Sequence, residues 1–186
     1  MVKEKNIVAA KGERLYLSPM KMEDAAQYAR WQNDPQVYGQ IRDMNETITV
    51  EDQSRWMLET LQDPAQRVFS IYYLPDDKMI GQGGFKNLDT YDKSGEVWLA
   101  IGETSYWRQG LGTEARWLLC KYGFEKLGLN NILGEHYATN PVSLHNAKKT
   151  GARVIGVRRR CKWVDGEFID ATYTDLLPHE LIKPKI

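Results

Sequence analysis

Two cysteines in 186 residues, Cys120 and Cys161, are too few for a disulfide framework, and they lack the CxxC spacing of a zinc site. They read as reduced thiols in a cytoplasmic protein. Net charge is missing as well: 25 basic residues balance 25 acidic ones. The whole-surface basic field of a general nucleic-acid binder is therefore absent, and no nucleic-acid partner is expected. No apolar run approaches the roughly 18 residues that a membrane span needs. The opening Met1-Val2-Lys3-Glu4-Lys5-Asn6 lacks the apolar core of a secretion signal, so no membrane partner is expected either. The three histidines, His136, His145 and His179, are scattered without metal-ligand spacing, which argues for surface or hydrogen-bonded side chains and against a metal. No repeat, low-complexity tract or Pro/Gly/Ser-rich linker marks a boundary. The expectation is one soluble domain over 1–186, with 1–12 a frayed lead-in and 178–186 a tail.

What is present is core material. Six Trp, ten Tyr and 42% apolar residues are too much for a disordered chain. Arg14-Leu15-Tyr16-Leu17 alternates as a short strand that Ser18-Pro19 stops. A helix is predicted over 22–32, ending before Asn33-Asp34-Pro35, and a second opens at the capping-box-like Thr49-Val50-Glu51-Asp52. Strands follow at 68–74 and 79–85 around Pro75-Asp76-Asp77, and at 96–101. Leu111, Ala115, Leu118, Leu119 and Tyr122 then fall on one helical stripe that runs to Lys126, with Gly128 as its stop. A strand near 132–138 and a helix over 141–149, closed by Gly151, precede two strands, 154–163 and 168–177, hinged on Asp165-Gly166. Strand-helix-strand in the middle with hairpins at both ends predicts a mixed α/β sheet.

The segment Tyr106-Trp107-Arg108-Gln109-Gly110-Leu111-Gly112-Thr113-Glu114-Ala115 lies between a predicted strand and a predicted helix. Two glycines one residue apart let backbone pass close to a ligand, and the free N–H groups of a first helical turn point along the positive end of its dipole. That suits a pyrophosphate, although G-x-G alone also serves tight packing. The nucleoside-triphosphate P-loop needs four residues between its glycines and then Lys, and the dinucleotide fingerprint needs a third glycine where Thr113 stands.

Four segments in fixed order extend the signal: Arg30-Trp31-Gln32-Asn33-Asp34-Pro35, Ile80-Gly81-Gln82-Gly83-Gly84-Phe85, Tyr106 to Ala115, and Asn140-Pro141-Val142-Ser143 with Lys149-Thr150-Gly151. Together, over about 14–177, the chain resembles the GNAT family of acetyl-CoA-dependent N-acetyltransferases, in its RimJ/RimL-like branch. The resemblance implies a mixed, mostly antiparallel central sheet splayed around acetyl-CoA, with flanking helices. It implies the pyrophosphate on the amides of Arg108, Gln109, Gly110, Leu111, Gly112 and Thr113. The pantetheine arm would lie along Leu99, Ala100 and Ile101, with Asn140 and Asn146 on the other side. Two positions depart from the family pattern: Trp107 replaces a usual Arg or Gln, and Ala147 replaces the tyrosine acid of many relatives.

Acetyl transfer to an amine needs a base, because a primary amine is mostly protonated at pH 7, and it benefits from a donor to the departing thiolate. Glu96, fourteen residues before Gly110, resembles the family's base; a solvated strand glutamate is the other reading. Ser143 is the candidate donor, with Tyr137 in reserve, and a backbone N–H near Leu99 would meet the developing oxyanion. Tyr38 and Trp56 flank the loop that forms the acceptor pocket in this family. The expected acceptor is a small-molecule amine such as an amino sugar, a polyamine or an antibiotic; a protein N-terminus is the alternative, and a non-catalytic CoA sensor, motivated by Ala147, is the third. The chain is expected to act as a monomer or homodimer. Arg158-Arg159-Arg160 reads as a solvated strand edge. Charge is segregated: residues 108–163 hold 11 basic and 3 acidic side chains, whereas 1–66 hold 8 and 11.

Overall fold

The fold is described over residues 6–185 of a computed structural model. Eight strands form one sheet: β1 Ala10–Lys11, β2 Leu15–Pro19, β3 Arg67–Tyr73, β4 Lys78–Asp89, β5 Ser94–Ile101, β6 Asn131–Tyr137, β7 Arg153–Val164 and β8 Glu167–Leu176. Their spatial order is β1-β2-β3-β4-β5-β6-β8-β7. The helices are α1 Ala25–Gln32, α2 Pro35–Tyr38, α3 Val50–Gln62, α4 Leu111–Glu125 and α5 Pro141–Lys149.

Neighbouring strands are antiparallel except β5 and β6, whose parallel crossover is carried by α4. That pairing covers only Ser94↔Asn131, Gly95↔Ile132 and Glu96↔Leu133. Beyond Glu96, β5 stays with β4 and β6 stays with β8. The two strands therefore part into a V, with Val97–Ile101 on one arm and Gly134–Tyr137 on the other. The splayed mixed sheet implied by the sequence is the one observed.

Strand alternation decides which side chain meets which layer. Val97 and Ile101 face Leu111, Ala115, Leu118 and Leu119 of α4 in one core. Trp98 and Ala100 face the other way, onto a second core with Tyr28, Trp31 and Tyr38 of α1 and α2 and Met57 of α3. Glu96, two residues before Trp98, shares the face of the early helices. Within β4, a Cβ at Gly84 would overlap the Arg67 carbonyl of β3, which explains why the Gly81–Gly84 run has no larger residue there.

The structure departs from the sequence reading at four places. Pairing in β2 continues through Ser18 and Pro19, opposite Ser70 and Phe69; β1 reaches only Leu17 and Tyr16, so the missing N–H of Pro19 falls on an open edge. Ala10–Lys11 pairs with β2 inside the segment that reads as lead-in. Asn33-Asp34-Pro35 ends α1 and also starts α2: the Asp34 carboxylate accepts from the Gln36 N–H at 2.9 Å, and Pro35 sits in the first turn, where its lost N–H does no harm. In β7, where Arg158-Arg159-Arg160 reads as an ordinary strand edge, a bulge between Arg158 and Lys162 puts Arg160 at φ +49 and interrupts the strand alternation.

Candidate active site

Gly110 is the N-cap of α4 and adopts φ +77, a left-handed conformation that favours glycine. A glycine cap brings no side-chain acceptor, whereas Ser, Thr, Asp or Asn would occupy the first-turn amides. The N–H groups of Leu111, Gly112 and Thr113 are thus left without intrahelical partners, and no other partner meets them among the described residues. The loop before them is tied down on three sides. The Trp107 indole N–H donates to the Ile101 carbonyl at 2.8 Å. Gln109 donates to the Ser105 carbonyl at 2.9 Å, and its own carbonyl accepts from Arg14 at 2.9 Å. Arg14 also reaches Glu114, through Nε at 3.0 Å and its backbone N–H at 2.8 Å, and Glu114 is fully buried. Trp107, the departure from the family loop, is here the clasp joining that loop to the end of β5.

Across the loop stands α5. Thr113 donates from its hydroxyl to Asn146 Oδ1 at 2.9 Å, and a Cβ at Gly112 would approach Asn146 Nδ2 to 3.3 Å. Asn140 caps α5, its Oδ1 accepting from the Ser143 N–H at 3.3 Å; its amide nitrogen has no protein partner among the described residues. Leu99, Ala100 and Ile101 lie on the open arm of β5, where the side towards β6 has no strand; the Ile101 carbonyl already accepts from Trp107. Free amides at the positive end of α4, with Arg14 and Arg108 beside them and a strand edge leading away, fit a pyrophosphate and an extended amide-bearing arm.

Glu96 occupies the vertex of the V. Its carboxylate pairs with Lys86 at 2.8 Å and accepts from Asn87 at 3.3 Å. Its side chain is 14% exposed, so it is a partnered group and not a freely solvated one. Ser143 projects from the first turn of α5, its Oγ 2.8 Å from His136 Nδ1; His136 Nε2 in turn lies 3.0 Å from Thr174 Oγ1. Ala147 is fully buried in the α4 core, so the acid many relatives carry has no counterpart there. Tyr137 donates to Glu135 at 2.9 Å, and burial followed by that carboxylate pushes its hydroxyl pKa up, which makes it a poor proton donor.

The face of the early helices carries groups that sequence spacing did not single out. Glu135 accepts from Tyr137 at 2.9 Å and from Tyr173 at 2.6 Å. Burial works to raise its pKa, but those two hydroxyls, with Lys86 and Arg158 nearby, hold it below the usual carboxylate range. Trp56 meets Trp98 edge-on with ring centroids 6.3 Å apart. Tyr38 is buried in the same cluster, its hydroxyl accepting from Gln82 at 3.0 Å and pushed up to about 12 by burial. The segment 39–48 bridges outward from α2: the Gln40 carbonyl accepts from the Thr139 hydroxyl, and Asp43 accepts from the Asp165 N–H at 2.6 Å. That strap ties the early helices to the β6 arm and to the tip of the β7–β8 hairpin.

The roles of Arg14, His136, Glu135 and the strap escaped the sequence reading because each depends on a partner in another element: Glu114 for Arg14, Thr174 for His136, Tyr173 for Glu135, and Thr139 and Asp165 for the strap. Only the alternation of β6, which puts Glu135 and Tyr137 on one face, was available as a signal.

The Acetyltransferase (GNAT) domain family matches residues 14–153. N-acetyltransferase p20 of Bacillus licheniformis is 31% identical over 174 residues, covering 90% of this chain and 95% of that protein. Alpha/beta-tubulin-N-acetyltransferase 9 of Mus musculus is 26% identical over 149 residues, 74% of this chain and 61% of the relative. Among solved structures, a spermidine N-acetyltransferase of Vibrio cholerae in complex with CoA and spermine superposes with a TM-score of 0.82 at 16% identity, over 91% of this chain and 98% of that one.

Proposed function

The chain belongs to the GNAT acetyltransferase family and is an acetyl-CoA-dependent N-acetyltransferase; on that footing we propose that it acetylates the primary amine of a small molecule such as an amino sugar, a polyamine or an antibiotic. The observation that carries the proposal is the parting of β5 from β6 directly beside the uncapped start of α4. Bound acetyl-CoA supplies the activated thioester. The amides of residues 108–113, with Arg14 and Arg108, hold its pyrophosphate; the peptide groups of Leu99, Ala100 and Ile101 align its arm, and Asn140 and Asn146 flank it from α5.

Glu96 takes the proton of the incoming ammonium through a water, which suits a carboxylate at the vertex already held by Lys86 and Asn87. Ser143 meets the leaving sulfur as a hydrogen-bond donor, because a hydroxyl is too weak an acid to do more near neutral pH. Trp56 and Tyr38 form the wall against which the acceptor lies. The strap from Gln40 and Asp43 to the other arm supports a slender acceptor over a folded protein surface, and the acidic excess of residues 1–66 suits a cation. The N-x-x-S element at Asn140–Ser143 supports the RimJ/RimL-like placement. The two unpaired cysteines, Cys120 buried and Cys161 half-buried, fit a reducing cytoplasm.

Likeness to a tubulin N-acetyltransferase favours a second reading, a protein amine as acceptor. Thiol release from acetyl-CoA, measured against a panel of polyamines, amino sugars and peptide N-termini, tests both. Turnover concentrated on small amines supports the proposal; turnover on peptides alone replaces it, and tight CoA binding without turnover on any amine indicates a sensor module.

A further inference from the structure

The hydrogen bonds behind Ser143 have a direction that can be read from their far end. Thr174 is fully buried, and its hydroxyl has one partner among the described residues, His136 Nε2 at 3.0 Å. A buried hydroxyl that only accepted would leave its hydrogen unpaired, which is unfavourable. Thr174 therefore donates and Nε2 accepts. A neutral imidazole then carries its hydrogen on Nδ1, which donates to Ser143 Oγ at 2.8 Å. The hydrogen of Ser143 itself has no acceptor among the described residues, and Ser143 is half-buried at the start of α5.

The surroundings keep the imidazole neutral. His136 is 2% exposed, and burial first, then the Arg116 guanidinium of α4, bring its pKa down to about 4. Glu135, its neighbour on β6, pulls the other way without restoring the charge. Arg116 is itself buried, with Nε and Nη2 unpartnered, and a guanidinium has no acceptor to compete for the Thr174 hydrogen. Cys120, one turn further along α4, is fully buried, and its thiol is pushed up by that burial and stays uncharged.

We propose that His136 is a positioning residue of the transfer reaction: as the Nδ1–H tautomer, anchored by Thr174, it occupies the Ser143 oxygen so that the hydroxyl hydrogen is presented to the leaving sulfur. This rests on the reading that places that sulfur beside Ser143. As the amine nitrogen bonds to the acetyl carbon, the C–S bond breaks and its electron pair goes to sulfur. Ser143 keeps its hydrogen and shares it with that sulfur as a hydrogen bond; Glu96 has taken the first proton of the ammonium through a water, and the second, which the nitrogen loses after its attack, ends on the thiol.

Two variants separate this role from a structural one. His136→Asn places a carboxamide nitrogen near the position of Nδ1, where it still donates to Ser143. His136→Gln reaches the position of Nε2 instead, keeping a partner for Thr174 and losing the one for Ser143. His136→Gln is expected to lower kcat about tenfold, with the CoA Kd within about twofold of wild type, while His136→Asn returns kcat to within about threefold. Combined with Ser143→Ala, His136→Gln is expected to add no further loss. Wild-type kcat in His136→Gln, or losses that multiply in the double variant, would overturn the inference. Nitrogen NMR of the wild-type imidazoles needs no variant to fold: hydrogen on Nδ1 with a bare Nε2 at pH 7 is expected, and hydrogen on Nε2 contradicts it. If wild type turns over no amine, the acetyl-transfer reading fails, and the imidazole spectrum decides the present inference by itself.

Discussion

At the scale of single residues, the site depends on what two positions withhold. Gly110 withholds a capping side chain and tolerates φ +77. An alanine there meets nothing closer than Arg14 Nη2 at 3.5 Å, so its effect is conformational. Gly110→Ala should lose about 1 kcal/mol in the loop conformation, read as a CoA Kd raised about fivefold by calorimetry, with a small change in Tm. Glu96 withholds free solvation, since Lys86 and Asn87 already engage it. Glu96→Gln should lower kcat by about a hundredfold at pH 7 and by less at higher pH, where more of the amine is already deprotonated. A flat ratio of wild type to variant across a pH–rate profile would assign Glu96 a structural role. The place of Ser143 in the first turn of α5, capped by Asn140, was legible from their spacing, but its bond to His136 was not: one histidine on an alternating strand looks the same whether it bonds a hydroxyl of a neighbouring helix or a core threonine.

At the scale of elements, periodicity foretold most strands and helices, because each buries one face. The α4 stripe of Leu111, Ala115, Leu118 and Leu119 is the stripe that packs on β5. Elements that make local bonds without a periodic face were missed. α2 has four residues, too few for a stripe, and exists because Asp34 caps it. β1 has two residues and takes its pairing from β2. The limited contact of β5 with β6 was legible only through family likeness, since nothing in the alternation of either strand says where pairing ends. The strap depends on partners as far apart as Asp43 and Asp165, which no local pattern connects. Asp43→Ala combined with Thr139→Val should raise KM for the amine several-fold while leaving the CoA Kd unchanged; equal changes in both constants would place the strap's influence on the cofactor side as well.

At the scale of the whole molecule, zero net charge conceals a partition that only partly follows the candidate site. Of the basic excess in residues 108–163, Arg108 lies at the loop, but Arg153, Arg158, Arg159 and Arg160 line the exposed edge strand β7. Arg14, from the acidic segment, is the guanidinium that reaches the loop. The pH dependence of stability also belongs to this scale. His136 is held down to about 4 by burial and by Arg116, whereas the unfolded chain takes its proton near 6.5. The unfolded state binds more protons between these values, so the contribution is complete above about pH 6.5 and is lost as pH falls towards 4, by up to about 3 kcal/mol. Urea midpoints at pH 7 and pH 4.5 should therefore differ more for wild type than for His136→Gln; equal differences would mean that His136 titrates normally in the folded chain.

The most direct test of small-amine acetyl transfer is a competition. The protein is given acetyl-CoA with an equimolar mixture of polyamines, amino sugars and short peptides bearing free N-termini, and the products are identified by mass spectrometry. Acetyl groups accumulating on one class of small amine, with matching thiol release that falls in Glu96→Gln, is the predicted result; acetyl groups confined to the peptides, or CoA bound with no acetylated product, would contradict it.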